Sequence, residues 1–163
     1  MEKLGGMQAP EHELKQVGVR AVAILATREA VSQRLAAWGV APPLNALLRE
    51  EGWEQSPRVA MSVTLATLAL YNMSYLAPNQ PVIGRTCLPA LLQVCQRCEG
   101  LPEATATQPP LTRTLVVSAH RCAVASLQNV MKHSANRTAF YKVSVLPTSH
   151  IAELMLACRG LNA

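Results

Sequence analysis

The chain has 163 residues, of which 50% are hydrophobic, 15% charged and only 4% aromatic, with a formal net charge of +5. That length suits one domain with its own core and excludes two substantial ones, and an aliphatic, aromatic-poor composition points to packed helices over a sheet sandwich. The 15 Lys and Arg are scattered without a basic run, which disfavours direct nucleic-acid binding, and five cysteines at irregular spacing fit a reducing compartment better than a disulfide scaffold.

In chain order, residues 1–13 read as a flexible start. They contain no apolar signal core and carry Glu2, Glu11 and Glu13, against both a secretory and an Arg-rich transit peptide. A first helical unit follows over about 14–50. Its opening helix is lined by Leu14, Val17, Ala21, Ile24 and Leu25, and Pro42-Pro43 introduces a later helix through Leu44, Leu47 and Leu48.

The second unit, about 56–98, opens at Ser56-Pro57, a cap residue followed by the proline favoured at a first helical position. Residues 59–84 then contain no charged side chain, long enough for a membrane span of about 20 residues. Ser62, Thr64, Thr67, Asn72 and Ser74 within it, and the stop at Pro78-Asn79, argue instead for a helix over Pro57–Leu76 sandwiched between neighbours. No membrane span is expected. Cys87-Leu88-Pro89 is expected to open a third helix carrying Leu91, Leu92 and Cys95. The Pro- and Thr-rich residues 99–112 read as an inserted loop, and a third unit runs over about 113–159. There Pro147-Thr148-Ser149 introduces Ile151, Leu154, Met155 and Cys158, with Gly160 as the stop.

The units repeat. LYNMSYLAPNQPVI (70–83) aligns with LQNVMKHSANRTAF (127–140), so that Asn72 and Asn79 correspond to Asn129 and Asn136; AILATREAVSQRLAAWG (23–39) places Leu25 and Ser32 at the same two positions. The predicted architecture is all-α, three stacked units in a helical solenoid. Asn79 and Asn136 are expected to cap the helix that follows each of them.

These segments resemble armadillo repeats: a long helix ending in a Leu-x-Asn segment, an Asn-bearing turn, then a Gly or Pro before a leucine-rich helix, as in ALYNMSYLAPNQPVIGRTCLPALL. The resemblance covers about residues 14–159 and implies a right-handed superhelix of about three repeats. The third copy is also similar to the armadillo-like region of the AT-rich-interaction-domain subunits of SWI/SNF remodellers. In armadillo proteins the asparagine near the end of the long helix lines a groove and holds the backbone of an extended peptide; by position the resemblance implies that role for Asn72 and Asn129, the alternative being that both satisfy local backbone groups between helices. This chain departs from the pattern at Leu25, where the asparagine is missing, and at Leu68 and Ala125, where groove tryptophans would stand.

No catalytic role, cofactor or metal is expected. Cys95, Cys98, His120 and Cys122 are the nearest approach to a zinc set, but two ligands at a spacing of two residues on a helix point apart and cannot close one tetrahedral site. His12, His120, His133 and His150 sit apart without a nucleophile motif, and there is no glycine-rich phosphate loop. The triplets Asn72-Met73-Ser74 and Asn136-Arg137-Thr138 fit a glycosylation acceptor, which a buried helix and a reducing compartment disfavour.

A three-unit stack has much of its surface at its ends, and here the end helices are apolar: Leu14 and Val17 at one end, Ile151, Leu154 and Met155 at the other. The expected function is therefore a non-catalytic protein–protein interaction module, a scaffold subunit of a larger assembly. The alternatives are a chromatin- or nucleic-acid-associated adaptor and a membrane-associated accessory subunit of an organellar complex. An intracellular reducing compartment is expected, with cytoplasm, nucleus, cilium and organelle matrix left open.

Overall fold

Proline and glycine punctuate the chain where its helices begin and end. A computed structural model describes residues 8–98 and 109–143. Among them all regular structure is helical: α1 (Gln8–Leu25), α2 (Glu29–Ala37), α3 (Ala41–Leu48), α4 (Pro57–Ser74), α5 (Gln80–Cys98), α6 (Pro110–Val130) and α7 (Ser134–Val143), with 3-10 turns at Trp53–Gln55 and Ala77–Asn79. α1 begins at Gln8, inside the stretch read as the flexible start, and α6 begins inside the stretch read as the inserted loop. The expectations for Ile151, Leu154, Met155 and their helix lie outside the described residues.

α2 ends in a Schellman turn. Gly39 takes φ 76°, a conformation costly for any residue with a Cβ, which lets the Val40 and Gly39 amides donate to the Leu35 and Ala36 carbonyls at 3.1 and 3.2 Å. Ser56 and Pro57 start α4 as expected, although the Ser56 side chain makes no cap bond. α4 stops at Ser74 rather than Leu76, because Pro78 has no amide with which to continue the helix. Pro89 does not open a helix; it sits inside α5, which runs unbroken from Gln80 to Cys98. The reason is exposure. Pro89 and Arg85 both face outward, so the Arg85 carbonyl that loses its intrahelical donor can take one from water.

The helices lie in two rows. α4 packs between α1 and α6, and α5 packs between α3 and α7, while α3 and α6 also bridge the rows through α4 and α5. Neighbours within a row run parallel. Asn72 of α4 donates to the Ala23 carbonyl of α1 at 2.9 Å and Gln16 of α1 donates to the Arg58 carbonyl of α4 at 2.9 Å, so both chain directions rise together. Between α4 and α6 the same is true: Thr64 donates to the Leu115 carbonyl at 2.9 Å and Asn129 donates to Ser74 Oγ at 3.1 Å. In the second row Cys87 contacts the Ala41 carbonyl at 3.6 Å and Arg97 donates to the Glu50 carbonyl at 3.1 Å. The cross-helix bonds from Asn72, Asn79, Cys87 and Arg97 span 49, 47, 46 and 47 residues, and those from Asn129 and Asn136 span 55 and 56. With 42 from Gln16 and 51 from Thr64, these spacings scatter around the sequence alignment offsets of 47 and 57.

This arrangement answers why α4 is apolar on nearly every side. Ala60, Val63, Ala66, Ala69, Leu70 and Met73 are all fully buried, and the alanines on α4 together with Ala119 and Ala123 on α6 allow close approach of the two helices. Two polar side chains of α4 are satisfied locally, Thr64 by the Ala60 carbonyl at 2.7 Å and Thr67 by the Val63 carbonyl at 3.1 Å, while the buried Ser62 hydroxyl has no hydrogen-bond partner. No helix among the described residues is long and apolar enough to cross a membrane. The core continues through Trp53, Leu88, Leu91, Leu127, Met131 and Phe140.

Candidate functional site

The seams between helices are polar. Asn79 donates from Nδ2 to the Met73 carbonyl at 3.0 Å, one of the last of α4, which also accepts the Leu76 amide at 3.4 Å, and to Ser32 Oγ of the preceding corner at 3.1 Å. Asn136 repeats the move, donating to the Val130 carbonyl at 2.9 Å and to the Gln80 carbonyl at 2.8 Å. Both asparagines are buried. The role differs from the expected cap of the following helix: each amide nitrogen serves the end of the preceding long helix and ties one corner to the next.

Asn72 and Asn129, the groove positions implied by the armadillo resemblance, lie one helical row away. The Asn72 amide nitrogen is engaged by Ala23 of α1. Asn129 is buried and engaged at both ends, its nitrogen by Ser74 and its Oδ1 by the Lys132 ammonium at 2.9 Å. Their donors tie α4 to α1 and α6 to α4. The same bonds occupy the amide nitrogens of both glycosylation triplets, at Asn72 and Asn136.

The apolar terminal face is where the structure and the sequence meet most directly. Among the described residues α1 has a row neighbour on one side only, and it turns Val19 and Ala23 toward the core. Its other side carries Leu14, Val17, Ala21, Ile24 and Leu25, all exposed, with Leu14 74%, Val17 66% and Ile24 63% accessible. Beside this stripe α1 and α3 enclose an open groove of about 540 Å³, lined by Leu14, Gly18, Val22, Pro43, Leu44 and Leu47, with Lys15 and Glu50 as its charged lining residues.

A second concavity, about 380 Å³, lies between α4 and α6, lined by Tyr71, Ser118, Arg121, Cys122 and Ala125. A third, about 230 Å³, lies between α1 and α4 and is lined by Thr27, Glu29, Asn72 and Tyr75 among others. The two are separated by the Tyr71–Tyr75 pair, whose rings meet edge to face at 5.0 Å and whose hydroxyls are hydrogen-bonded to each other. That bond pushes the Tyr71 phenol above its ordinary range.

The thiols are held protonated. Burial pushes Cys87 and Cys98 up to about 12 and raises Cys122, against partial opposition from Arg49 at Cys87 and Arg121 at Cys122. No disulfide joins the described cysteines, and no group of three or more His, Cys, Asp or Glu among the described residues could hold a metal ion.

The distribution of acids along the sequence is a further signal. The chain has no aspartate, and its glutamates are unevenly placed: residues 55–98 and 109–143 carry Arg58, Arg85, Arg97, Arg113, Arg121, Lys132, Arg137 and Lys142 and not one acid. Glu13, Glu29, Glu50, Glu51 and Glu54 all belong to α1, α2 and the stretch around α3, and Glu99 and Glu103 lie outside the described residues. A net charge of +5 therefore understates how basic the α6–α7 end is. No family model, no curated protein and no solved structure matches this chain.

Proposed function

We propose that this chain is a non-catalytic protein–protein interaction module, a scaffold subunit whose helices form a right-handed, armadillo-like solenoid of about three repeats. Support for the solenoid comes from the parallel rows and from bonds across them that recur at spacings of 42 to 56 residues. Support for the interaction role comes from one observation, the uncovered apolar stripe of α1 above the α1–α3 groove. In the same row α4 has neighbours on both sides and α6 exposes Leu111 and Val117, whereas α1 exposes Leu14, Val17, Ile24 and Leu25 along one stripe that no other described element covers. Burying Leu14, Val17 and Ile24 in a partner would contribute roughly 1.5–3 kcal/mol each before the costs of association. In this reading Asn72 and Asn129 are clamps between helices and the docking surface is the end of the stack.

The test is recovery of complexes from the native source with the full chain and with a Leu14→Glu, Val17→Glu double variant. The wild type is expected to co-purify with a stoichiometric protein partner that the double variant loses while keeping its helical content. A wild-type chain that stays monomeric, binds no apolar dye and recovers no partner different from the double variant's would refute the reading.

A further inference from the structure

The α1–α3 groove has a counterpart inside the stack that is filled. α3 is seated against both α4 and α5, a long helix of the first row and the next helix of its own row, and its Leu44 and Leu48 are buried. One unit earlier the equivalent bed lies between α1 and α3. It is the open groove of about 540 Å³, walled by Leu14, Gly18 and Val22 on one side and by Pro43, Leu44 and Leu47 on the other. No described helix lies in it. Gly18 leaves its wall low, since a Cβ built there meets nothing within 4 Å. The lining carries one charge of each sign, Lys15 and Glu50, so its complement is an apolar stripe and not an acidic or basic run.

We infer that this groove takes the C-terminal segment Pro147–Gly160 of a second copy, as a helix with Ile151, Leu154, Met155 and Cys158 turned into it, so that copies associate head to tail. The inference rests on the reading of the α1 end as a docking surface and names its occupant. The bed that holds α3 receives leucines spaced i, i+3 and i+4, at Leu44, Leu47 and Leu48, and the 20 residues after Val143 repeat that spacing at Ile151, Leu154 and Met155 and extend it to Cys158. As a helix, Ile151 to Cys158 is about 10.5 Å long, against about 12 Å for the groove wall from Leu14 to Val22, and Glu153 falls about 200° from Ile151, on the side away from the groove. The copy that supplies the segment is a second one because of reach. α7 packs on α5 and α5 on α3, so the groove lies three interaxial steps from α7, about 24–30 Å, whereas the four steps from Val143 to Pro147 extend over about 14 Å at most. A contact between two different surfaces of one chain propagates, which gives open chains or a ring.

The experiment has two arms, both on the full chain. In fluorescence anisotropy a labelled peptide of residues 144–163 is expected to bind, the same peptide with Leu154→Glu and Met155→Glu is not, and Gly18→Glu in the chain costs about tenfold or more in affinity while Arg121→Glu, across α4 from the groove, changes nothing. Gly18 is exposed with open space around it, so its variant is expected to keep wild-type circular dichroism. In sedimentation the wild-type mass is expected to rise with concentration, and the Gly18→Glu chain and the Leu154→Glu, Met155→Glu chain are each expected to stay monomeric. Mixed in equal amounts, these two variants should form a 1:1 pair and nothing larger, because one keeps a free segment and the other a free groove. No binding of the wild-type peptide, equal binding by the Gly18→Glu chain, self-association of either variant alone, or a mixture that stays monomeric would each overturn the inference. A different protein that co-purifies with the wild type and is lost with Leu14→Glu, Val17→Glu, while the peptide does not bind, sinks this inference and leaves the docking reading standing.

Discussion

Gly84 offers the sharpest test of how the stack is held. It lies buried in α5 facing α7, and a Cβ built on it falls within 3.0 Å of Oδ1, Cγ and Nδ2 of Asn136 alike. The carboxamide cannot swing aside freely, because its nitrogen donates to both the Gln80 and Val130 carbonyls. Gly84→Ala must therefore either push α7 away, an overpacking cost of about 1–3 kcal/mol, or break two buried hydrogen bonds at about 0.5–1.5 kcal/mol each. Against this, alanine is better than glycine in a helix by about 1 kcal/mol. The net expectation is a loss of up to about 2 kcal/mol, which for a chain of this size lowers Tm by up to roughly 4–8 °C.

Gly18 supplies the control. It is also helical, but a Cβ there meets nothing within 4 Å, so Gly18→Ala is expected to stabilise by up to about 1 kcal/mol. Urea unfolding followed by circular dichroism measures both. A third variant closes the cycle: with Asn136→Ala already present, Gly84→Ala should become neutral or stabilising, because the obstructing group is gone. If Gly84→Ala stabilises as much as Gly18→Ala in the wild-type background, α5 and α7 are not in contact at this point and the clamp described for Asn136 is wrong.

Three further outcomes are expected. Asn79→Ala, which removes the donor to both Met73 and Ser32 in a buried seam, should cost about 2–3 kcal/mol in the same unfolding assay, and Asn79→Asp should not restore it because the seam needs a donor. Gly39→Ala should cost about 1 kcal/mol, read as a lower urea midpoint at unchanged slope, since φ 76° disfavours a Cβ even though the space is open. The third concerns pH. Cys87 remains a thiol to about 12 in the folded chain but ionises near 9 when unfolded, so the unfolded state binds fewer protons between those values and stability falls as pH rises through them, by about 1.4 kcal/mol per pH unit for one thiol. Cys87→Ala should flatten that slope, and a slope unchanged by the substitution would contradict the buried-thiol assignment.

Much of the fold was legible because periodic and turn signals agreed. Ser56-Pro57 and Pro78 bracket α4, and the recurrence of Asn72 and Asn79 at Asn129 and Asn136 marks helices that meet at nearly the residue spacing that the alignment gives. What misled was local chemistry read without knowledge of facing. Pro89 looks like a helix start, but a proline is tolerated in a helix when the carbonyl it orphans points to water, and only the packing of α5 tells which way Arg85 points. Likewise an asparagine at a corner is read as a cap for the helix ahead, whereas Asn79 and Asn136 serve carbonyls behind them and a neighbouring corner some fifty residues away. The apolar face of α1 was visible as a stripe of Leu14, Val17, Ile24 and Leu25; that no other described element covers it could come only from the order of the rows.

The polar seams bear on why the end of the stack is apolar. Aliphatic side chains alone set no register, since helices bearing leucine and alanine on all sides can slide by a turn with little loss. Here each seam carries an amide whose donors are satisfied at one alignment, Asn72 on Ala23, Asn79 on Ser32 and Met73, Asn136 on Gln80 and Val130, and a shift of one turn would leave the half-buried Asn72 and the buried Asn79 and Asn136 without these partners. Register inside the chain is thus fixed by hydrogen bonds and cohesion by apolar burial. The exposed stripe of α1, Leu14 to Leu25, supplies cohesion with no amide to fix register, and in the proposed docking the partner must bring its own polar groups to Lys15 and Glu50 at the groove to settle on one alignment.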